Sequence, residues 1–268
     1  MQNAAFHPIE GMNYHFFNLL AGKVRRAALR AVFYLREYFF PFGCSLCGAG
    51  LVESGETWRG LCGACYAGIE RDIDENSSGE FCDCCGKPLI SEHDRCIACR
   101  QEENRSFDRV NVLFPYTGKY RQLLTAYKFG KNLALGNFFA EKIREMLTND
   151  FPPGIRIVPV PPRPGKIRNS GWDQVEYLAW LLERNPADGN GLVVDRCLKR
   201  LPSQSQKKLG RENRMSNLRG RIVPVRQVPK TAVILDDVMT TGATLDTCAA
   251  ALKEAGAQTV YGLCLFYD

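Results

Sequence analysis

The feature that most restricts the fold of this chain is the distribution of its cysteines. Of twelve cysteines in 268 residues, nine lie between Cys44 and Cys99. Two Cys-x-x-Cys pairs separated by ten to fourteen residues, as here, can bring four thiolates to one tetrahedral Zn²⁺. The pattern therefore predicts two zinc ribbons, whose ligands are Cys44, Cys47, Cys62 and Cys65 in the first and Cys82, Cys85, Cys96 and Cys99 in the second.

The surroundings of the pairs leave some points open. Disulfides would also account for the pairing, but they persist in oxidising compartments and nothing here directs export. Cys84 and His93 are further candidate zinc ligands. Gly48 and Gly86, each just after a pair, suit a tight knuckle turn, and the polar run 71–80 is predicted to be a linker between the ribbons. Four thiolates leave no open position on the metal, so both sites are predicted to be structural.

The first 38 residues are predicted to form a separate basic helical region. Their apolar stretch is interrupted by Lys23, Arg25, Arg26, Arg30 and Arg36, so it resembles neither a membrane-spanning helix nor a signal peptide. It is either a helix packed on the rest of the chain or a basic amphipathic helix that touches a membrane or partner. With an apolar fraction of 45% and a formal net charge of +6, we expect a cytoplasmic protein without stable membrane insertion.

From Phe107 onward, strand patterns alternate with helical ones. Strands are predicted near 110–114, 155–160, 233–238 and 259–267, and this alternation predicts a parallel sheet with helices on both faces. Cys197, Cys248 and Cys264 are expected in the core. The predicted helical faces comprise Tyr120, Leu123, Leu124 and Tyr127; Phe138, Phe139, Ile143, Met146 and Leu147; Trp172, Val175, Leu178, Ala179 and Leu182; and Leu245, Cys248, Ala249 and Leu252.

Residues 233–245, VILDDVMTTGATL, indicate a ligand-binding site. Ligands bind at the carboxyl ends of parallel strands, where Asp236 and Asp237 could accept hydrogen bonds from two ribose hydroxyls. The loop that follows opens a helix, whose N–H groups and threonine hydroxyls suit a 5′-phosphate, and Gly242 permits close approach. An acid-capped turn in an unrelated sheet protein is the alternative. The predicted loop consists of Met239, Thr240, Thr241, Gly242, Ala243 and Thr244.

This stretch closely resembles the phosphoribosyl pyrophosphate (PRPP) signature of type I phosphoribosyltransferases. The cysteine pairs, YRQLLTAYKFGKN, VPVPPRP, GWDQVEYLA, SQSQKKLGRENRMSNLRG and the signature resemble, in that order, the ComF family, also called GntX. The resemblance, from Phe39 onward, implies a double zinc ribbon over 39–103 and a type I phosphoribosyltransferase-like (Rossmann-like) α/β domain over 104–268. The family's arginine before Gly171 is missing, and Arg168 is the nearest replacement.

The resemblance implies phosphoribosyl transfer from PRPP with Mg²⁺, in which Asp236 and Asp237 would be the catalytic residues. Arg163 and Lys128 are candidate pyrophosphate-binding cations, with surface charges as the alternative. The basic run from Lys199 to Lys230 is either a loop that closes over pyrophosphate or a binding segment for a nucleic-acid backbone.

Two functions follow from the resemblance, because some members are needed for natural transformation by incoming single-stranded DNA. One is a PRPP-dependent enzyme in DNA uptake or nucleotide metabolism. The other is a non-catalytic, PRPP-responsive factor that holds single-stranded DNA or transformation proteins. The sequence identifies neither the acceptor of the phosphoribosyl group nor the oligomeric state.

Overall fold

Five parallel strands form the central sheet. The computed structural model describes residues 43–76, 79–101, 105–184, 192–202 and 220–268. The sheet strands, in the spatial order β1-β7-β6-β2-β3, are β1 (Arg109–Pro115), β2 (Arg156–Pro159), β3 (Val193–Val194), β6 (Thr231–Met239) and β7 (Thr259–Tyr267). Two short strands, β4 (Leu198–Arg200) and β5 (Ile222–Pro224), pair antiparallel with each other.

Eight helices are present in the described segments. Three belong to the cysteine-rich part: α1 (Ser54–Arg59), α2 (Gly63–Asn76) and α3 (Ile97–Gln101). The others are α4 (Gly118–Lys128), α5 (Ala134–Asp150), α6 (Lys166–Ser170), α7 (Gln174–Arg184) and α8 (Ala243–Glu254). The predicted apolar faces of α4, α5, α7 and α8 are confirmed, except that Met146 is only partly buried and Trp172 precedes α7.

The sheet has an apolar core on each face, which is why β6 and β7 read as nearly continuous apolar runs. On one face, Val233 and Leu235 pack with α4, α5 and α7. On the other, Ala232 and Ile234 pack with α8. The predicted α/β fold with a parallel sheet and a cysteine-cluster module at its N-terminal side is therefore confirmed.

The predicted linker between the ribbons is wrong for most of its length, because helix α2 continues to Asn76. The reason is that the polar run contains an apolar residue at helical spacing from the preceding segment. Ile73 follows the fully buried Ile69 by four residues, and both pack on the same core. Asp72 then accepts a hydrogen bond from Tyr120 at 2.8 Å and pairs with Lys119 at 2.8 Å.

Residues 43–268 form one compact unit. The domain boundaries predicted at 39–103 and 104–268 remain predictions, and the basic helical region predicted over residues 1–38 lies outside the described residues. Within the described segments, every helix is too short or too polar to cross a membrane.

Candidate functional site

The first cysteine cluster joins Cys44, Cys47, Cys62 and Cys65, whose sulfur atoms all lie within 4.8 Å of one another. The sulfur atoms of Cys47 and Cys62 are 3.6 Å apart. Four sulfurs bound tetrahedrally to zinc at ~2.3 Å would be separated by about 3.8 Å. The cluster therefore fits one Zn²⁺.

The second cluster joins the four buried residues Cys82, Cys85, Cys96 and Cys99 with the same spacing. The sulfur atoms of Cys85 and Cys96 are 3.7 Å apart, and the backbone N–H of Cys96 donates to the sulfur of Cys82 at 3.3 Å. Cys84 and His93 fall outside both groups, and the exposed His93 contacts Glu80 at 3.1 Å instead.

The thiols of the second cluster differ in acidity. Burial opposes the ionisation of Cys82, but backbone N–H donors, led by that of Cys96, outweigh it and lower its pKa to about 7. Burial, followed by the neighbouring Cys82, raises the pKa of Cys85 to about 12. Binding of a dication would require that all four thiols lose their protons, and it would then stabilise the thiolates.

The two aspartates lie inside strand β6 and not at its end, which corrects the sequence prediction. Val238 and Met239 continue the strand because they pair with Phe266 and Tyr267 of β7. Both carboxyl groups are consequently buried. Neighbouring residues of a strand point to opposite faces, so Asp236 is on the α8 side and Asp237 on the side of α4 and α7.

Asp237 is held by side chains from two helices. Lys128, at the end of α4, lies 2.6 Å from Oδ2 of Asp237, and Nε2 of Gln174, at the start of α7, donates to the same oxygen at 2.7 Å. Burial raises the pKa of Asp237, but the charge and hydrogen bond of Lys128 and the bond from Gln174 outweigh it, so the net shift is downward. Asp237 is thus an ionised, oriented acceptor.

Lys166 fixes the orientation of Gln174. Its ammonium group contacts Oε1 of Gln174 at 2.5 Å and Oδ2 of Asp173 at 2.6 Å, which leaves the amide N–H₂ of Gln174 to donate to Asp237. Arg168 is exposed and its guanidinium lies beside Gly165. Lys166, and not Arg168, therefore supplies the cation next to Asp173 and Gln174.

Asp236 has a different environment. Burial, followed by the charge of Asp237, raises its pKa well above the ordinary value. Arg200 of β4 is near enough to Asp236 and to Arg163 for their charges to affect it, although burial is the main reason its pKa is lowered. Arg200 thus lies within electrostatic range of both Asp236 and Arg163.

The loop after β6 has the predicted helix-opening geometry. Gly242 has φ of 75° and caps α8 at its N-terminus, a conformation that strongly favours glycine. Thr240 and Thr241 are exposed, and the hydroxyl of Thr241 accepts the N–H of Ala243 at 3.4 Å. Thr244 is partly buried and Met239 is buried. Exposed hydroxyls and a helix N-terminus are thus available to an anion.

Sequence reasoning assigned no role to Gln174 or Lys166, although Gln174 belongs to GWDQVEYLA, one of the segments that resemble the family. Arg200 was included only as a member of the basic run from Lys199 to Lys230. Residues 203–219 of that run, which contain Lys207, Lys208, Arg211 and Arg214, lie outside the described residues.

Comparison with known proteins finds relatives along most of the chain. Competence protein ComFC of Streptococcus pneumoniae is 28% identical over 203 residues, which are 75% of this chain and 84% of the relative. Competence protein F of Haemophilus influenzae is 25% identical over 83% of this chain and 95% of its own. Competence protein ComFC of Bacillus subtilis is 25% identical over 80% and 89%, respectively.

No family model matches the chain. The three relatives nevertheless span three-quarters or more of it, and the two clusters of four cysteines fit the double zinc ribbon that the sequence predicts. Together these findings place the chain among the relatives of the ComF-type competence proteins.

Proposed function

We propose that this chain binds PRPP with Mg²⁺ at the carboxyl edge of its sheet and acts in competence, the process named in its relatives. The proposal rests on two buried aspartates, Asp236 and Asp237, that are followed closely in the chain by the threonine- and glycine-containing loop 239–244. The ionised carboxylate of Asp237 suits a ribose hydroxyl, and the helix N-terminus after the loop suits the 5′-phosphate of that ribose.

The cations around the aspartates suit the pyrophosphate group. Lys128 lies against Asp237, and Arg200 is within electrostatic range of Asp236 and of Arg163. Carboxylate oxygens are ligands that Mg²⁺ accepts. Because Asp237 already accepts two hydrogen bonds from protein groups, we expect Mg²⁺ to arrive with the pyrophosphate and keep most of its water ligands.

The chemistry proposed for this site is phosphoribosyl transfer. A nucleophile forms a bond to the anomeric carbon while the bond from that carbon to pyrophosphate breaks, and pyrophosphate leaves with the bonding electrons. Asp236 and Asp237 would orient the ribose and stabilise the positive charge that develops on its ring. Lys128, Arg163 and Arg200 would stabilise the departing anion.

Calorimetry with Mg·PRPP tests the binding step. Asp237→Asn keeps the side-chain size but removes a charge-assisted acceptor worth about 1.5–3 kcal/mol, so affinity should fall tenfold or more. Asp236→Asn should weaken binding less, because burial raises the pKa of Asp236 and opposes its ionisation. Asp150→Asn, an exposed site at the end of α5, is the matched control. If folded variants bind as tightly as the parent, the aspartates belong only to a strand and the proposal fails.

Pyrophosphate release separates an enzyme from a PRPP-responsive binding protein. The parent would be incubated with Mg·PRPP and a panel of bases, amines and nucleic acids. Acceptor-dependent release that Asp237→Asn abolishes supports transfer. PRPP binding without release by any member of the panel would favour the binding protein.

A further inference from the structure

Arg105 lies against the loop that follows β6, although it is far from that loop in sequence. A Cβ atom placed on Gly242 would be 3.5 Å from Nη1 of Arg105 and 3.7 Å from Cε1 of Phe107. The guanidinium group is therefore in van der Waals range of the residue that opens helix α8.

The segment that carries Arg105 is fixed at this position. The backbone N–H of Ser106, the next residue, donates to Oδ1 of Asp246 in the first turn of α8 at 2.6 Å. Phe107 is buried in the core beneath α8, and the guanidinium carbon of Arg105 is 5.7 Å from the centre of its ring. Residues 105–107 thus anchor the arginine beside Gly242.

The loop itself lacks a positive side chain. Its sequence, residues 239–244, is MTTGAT and contains neither lysine nor arginine. A helix N-terminus supplies only about half a positive charge, whereas a phosphate monoester carries between one and two negative charges at neutral pH. Arginine is the side chain best suited to phosphate, because its planar fork can donate two parallel hydrogen bonds.

Other charged residues lie near the loop in the described part of the chain. The backbone N–H of Asp268 donates to the carbonyl of Met239 at 3.0 Å, and the ammonium group of Lys87 is 5.7 Å from the ring centre of Tyr267, the β7 residue that pairs with Met239. Asp246 is the acid in the first turn of α8, and its carboxylate already accepts the N–H of Ser106. Lys128 is 2.6 Å from Asp237, and Arg163 influences Arg200 beside Asp236. Those cations belong to the aspartate end of the site, while Arg105 belongs to the loop end.

We infer that Arg105 binds the 5′-phosphate of the ribose ligand, together with the N–H groups and threonine hydroxyls of the loop 239–244. The inference rests on the proposed function and adds a ligand-binding residue to it.

Three ligands titrated calorimetrically into the full chain with Mg²⁺ test the inference: PRPP, ribose 5-phosphate and inorganic pyrophosphate. Arg105→Gln should weaken PRPP and ribose 5-phosphate about tenfold to a hundredfold, because both carry the 5′-phosphate. Pyrophosphate, which lacks it, should bind as it does to the parent. Arg105→Lys should be intermediate for the two sugar phosphates, since it keeps the charge and loses the fork.

Arg100→Gln is the matched control, because it removes the same charge from an exposed position of the same cysteine-rich module. Zinc content and melting temperature are measured for each variant, so that a folding defect is recognised. If the parent binds the sugar phosphates and Arg105→Gln binds them like Arg100→Gln, the role of Arg105 is refuted while the proposed function stands. If Arg105→Gln weakens pyrophosphate equally, the arginine acts on a different group and the inference also fails. If the parent binds neither sugar phosphate, the proposed function itself fails.

Discussion

Lys128 and Asp237 are 109 residues apart in sequence, yet their charged atoms are 2.6 Å apart. The pair is the main reason that a carboxylate so deeply buried keeps a lowered pKa. Removing the lysine would leave that carboxylate with the hydrogen bond of Gln174 but without a counter-charge. A buried charge that loses its partner is costly.

We therefore predict that Lys128→Met is less stable than the parent at pH 7, by on the order of 1–3 kcal/mol. A carboxyl group with a lowered pKa stabilises the folded state above its unfolded pKa, and this contribution disappears as the pH falls through the folded pKa. In Lys128→Met, the lysine no longer offsets the raising effect of burial on the pKa of Asp237, so this carboxyl group takes up its proton at a higher pH than in the parent. The difference from the parent should consequently be largest near pH 7 and shrink as the pH falls towards about 4, the ordinary pKa of aspartate.

Urea denaturation at several pH values measures this. Lys131→Met is the control, because Lys131 is an exposed lysine whose ammonium group contacts the carbonyl of Ser170 at 2.9 Å and not a carboxylate. A loss of stability in Lys128→Met that is the same at every pH would show that the ion pair with Asp237 is not its cause.

The sequence identified the residues of the local motif directly, and identified Lys128 and Arg163 only through the resemblance to a family, but it did not predict the role of Gln174. Asp236, Asp237 and Gly242 stand within one short signature. Gln174 and Arg200 come from separate elements, and only packing places them beside the aspartates. The burial of both carboxylates was also not predicted, because the sequence indicated carboxylates at a strand end open to ligand, whereas β7 pairs with the strand as far as Met239.

At the level of elements, the two knuckle glycines form a natural comparison. Gly48 and Gly86 both adopt left-handed conformations, with φ of 74° and 68°. A Cβ atom on Gly48 would meet nothing within 4 Å, whereas one on Gly86 would be 2.5 Å from the carbonyl oxygen of Val110 in β1. Gly86 therefore permits close packing of the second cysteine cluster on the edge strand of the sheet.

We predict that Gly48→Ala costs about 1–2 kcal/mol, the penalty of a left-handed alanine, and that Gly86→Ala costs clearly more because a backbone contact must also open. Chemical denaturation of the zinc-loaded proteins measures both values. Equal losses of stability would mean that the contact between Gly86 and β1 does not contribute to the folded state.

Elements with a long apolar pattern were predictable, and the shortest ones were not. In helix α4, all four residues that the helical spacing of apolar residues predicts to be buried are buried. Strands β3, β4 and β5 have only two or three residues each, too few to show an alternation. Helix α2 was not predicted, and its second half was assigned to a linker, because the apolar face there consists of Ile73 among charged residues.

At the scale of the whole molecule, the two cysteine clusters support opposite faces of one sheet. Cys44 of the first packs in the core with Phe114, Phe138 and α7. The second cluster packs in the other core, with Phe107, Val110 and α8. Each metal site is thus attached to a different hydrophobic core.

We predict that the reduced, purified chain holds two Zn²⁺, and that Cys47→Ser and Cys96→Ser each hold one. Each site needs only its own four thiolates, so the loss of one should leave the other loaded. Elemental analysis measures the zinc content. Cys197→Ser, which changes a buried cysteine outside both groups, should keep two. A variant that loses both metals, or that keeps both, would contradict independent sites.

Strand β7 lies between β1 and β6 although it follows every other strand in the chain. During synthesis, the thiols of each cluster emerge within a short stretch of chain, Cys44 to Cys65 and then Cys82 to Cys99. Each cluster can therefore take up metal on the ribosome, while β1 has no neighbour until residues 259–267 appear. We therefore expect a stage of synthesis at which the two metal-stabilised modules have formed but their apolar surfaces are still exposed. Aggregation is most favoured at that stage.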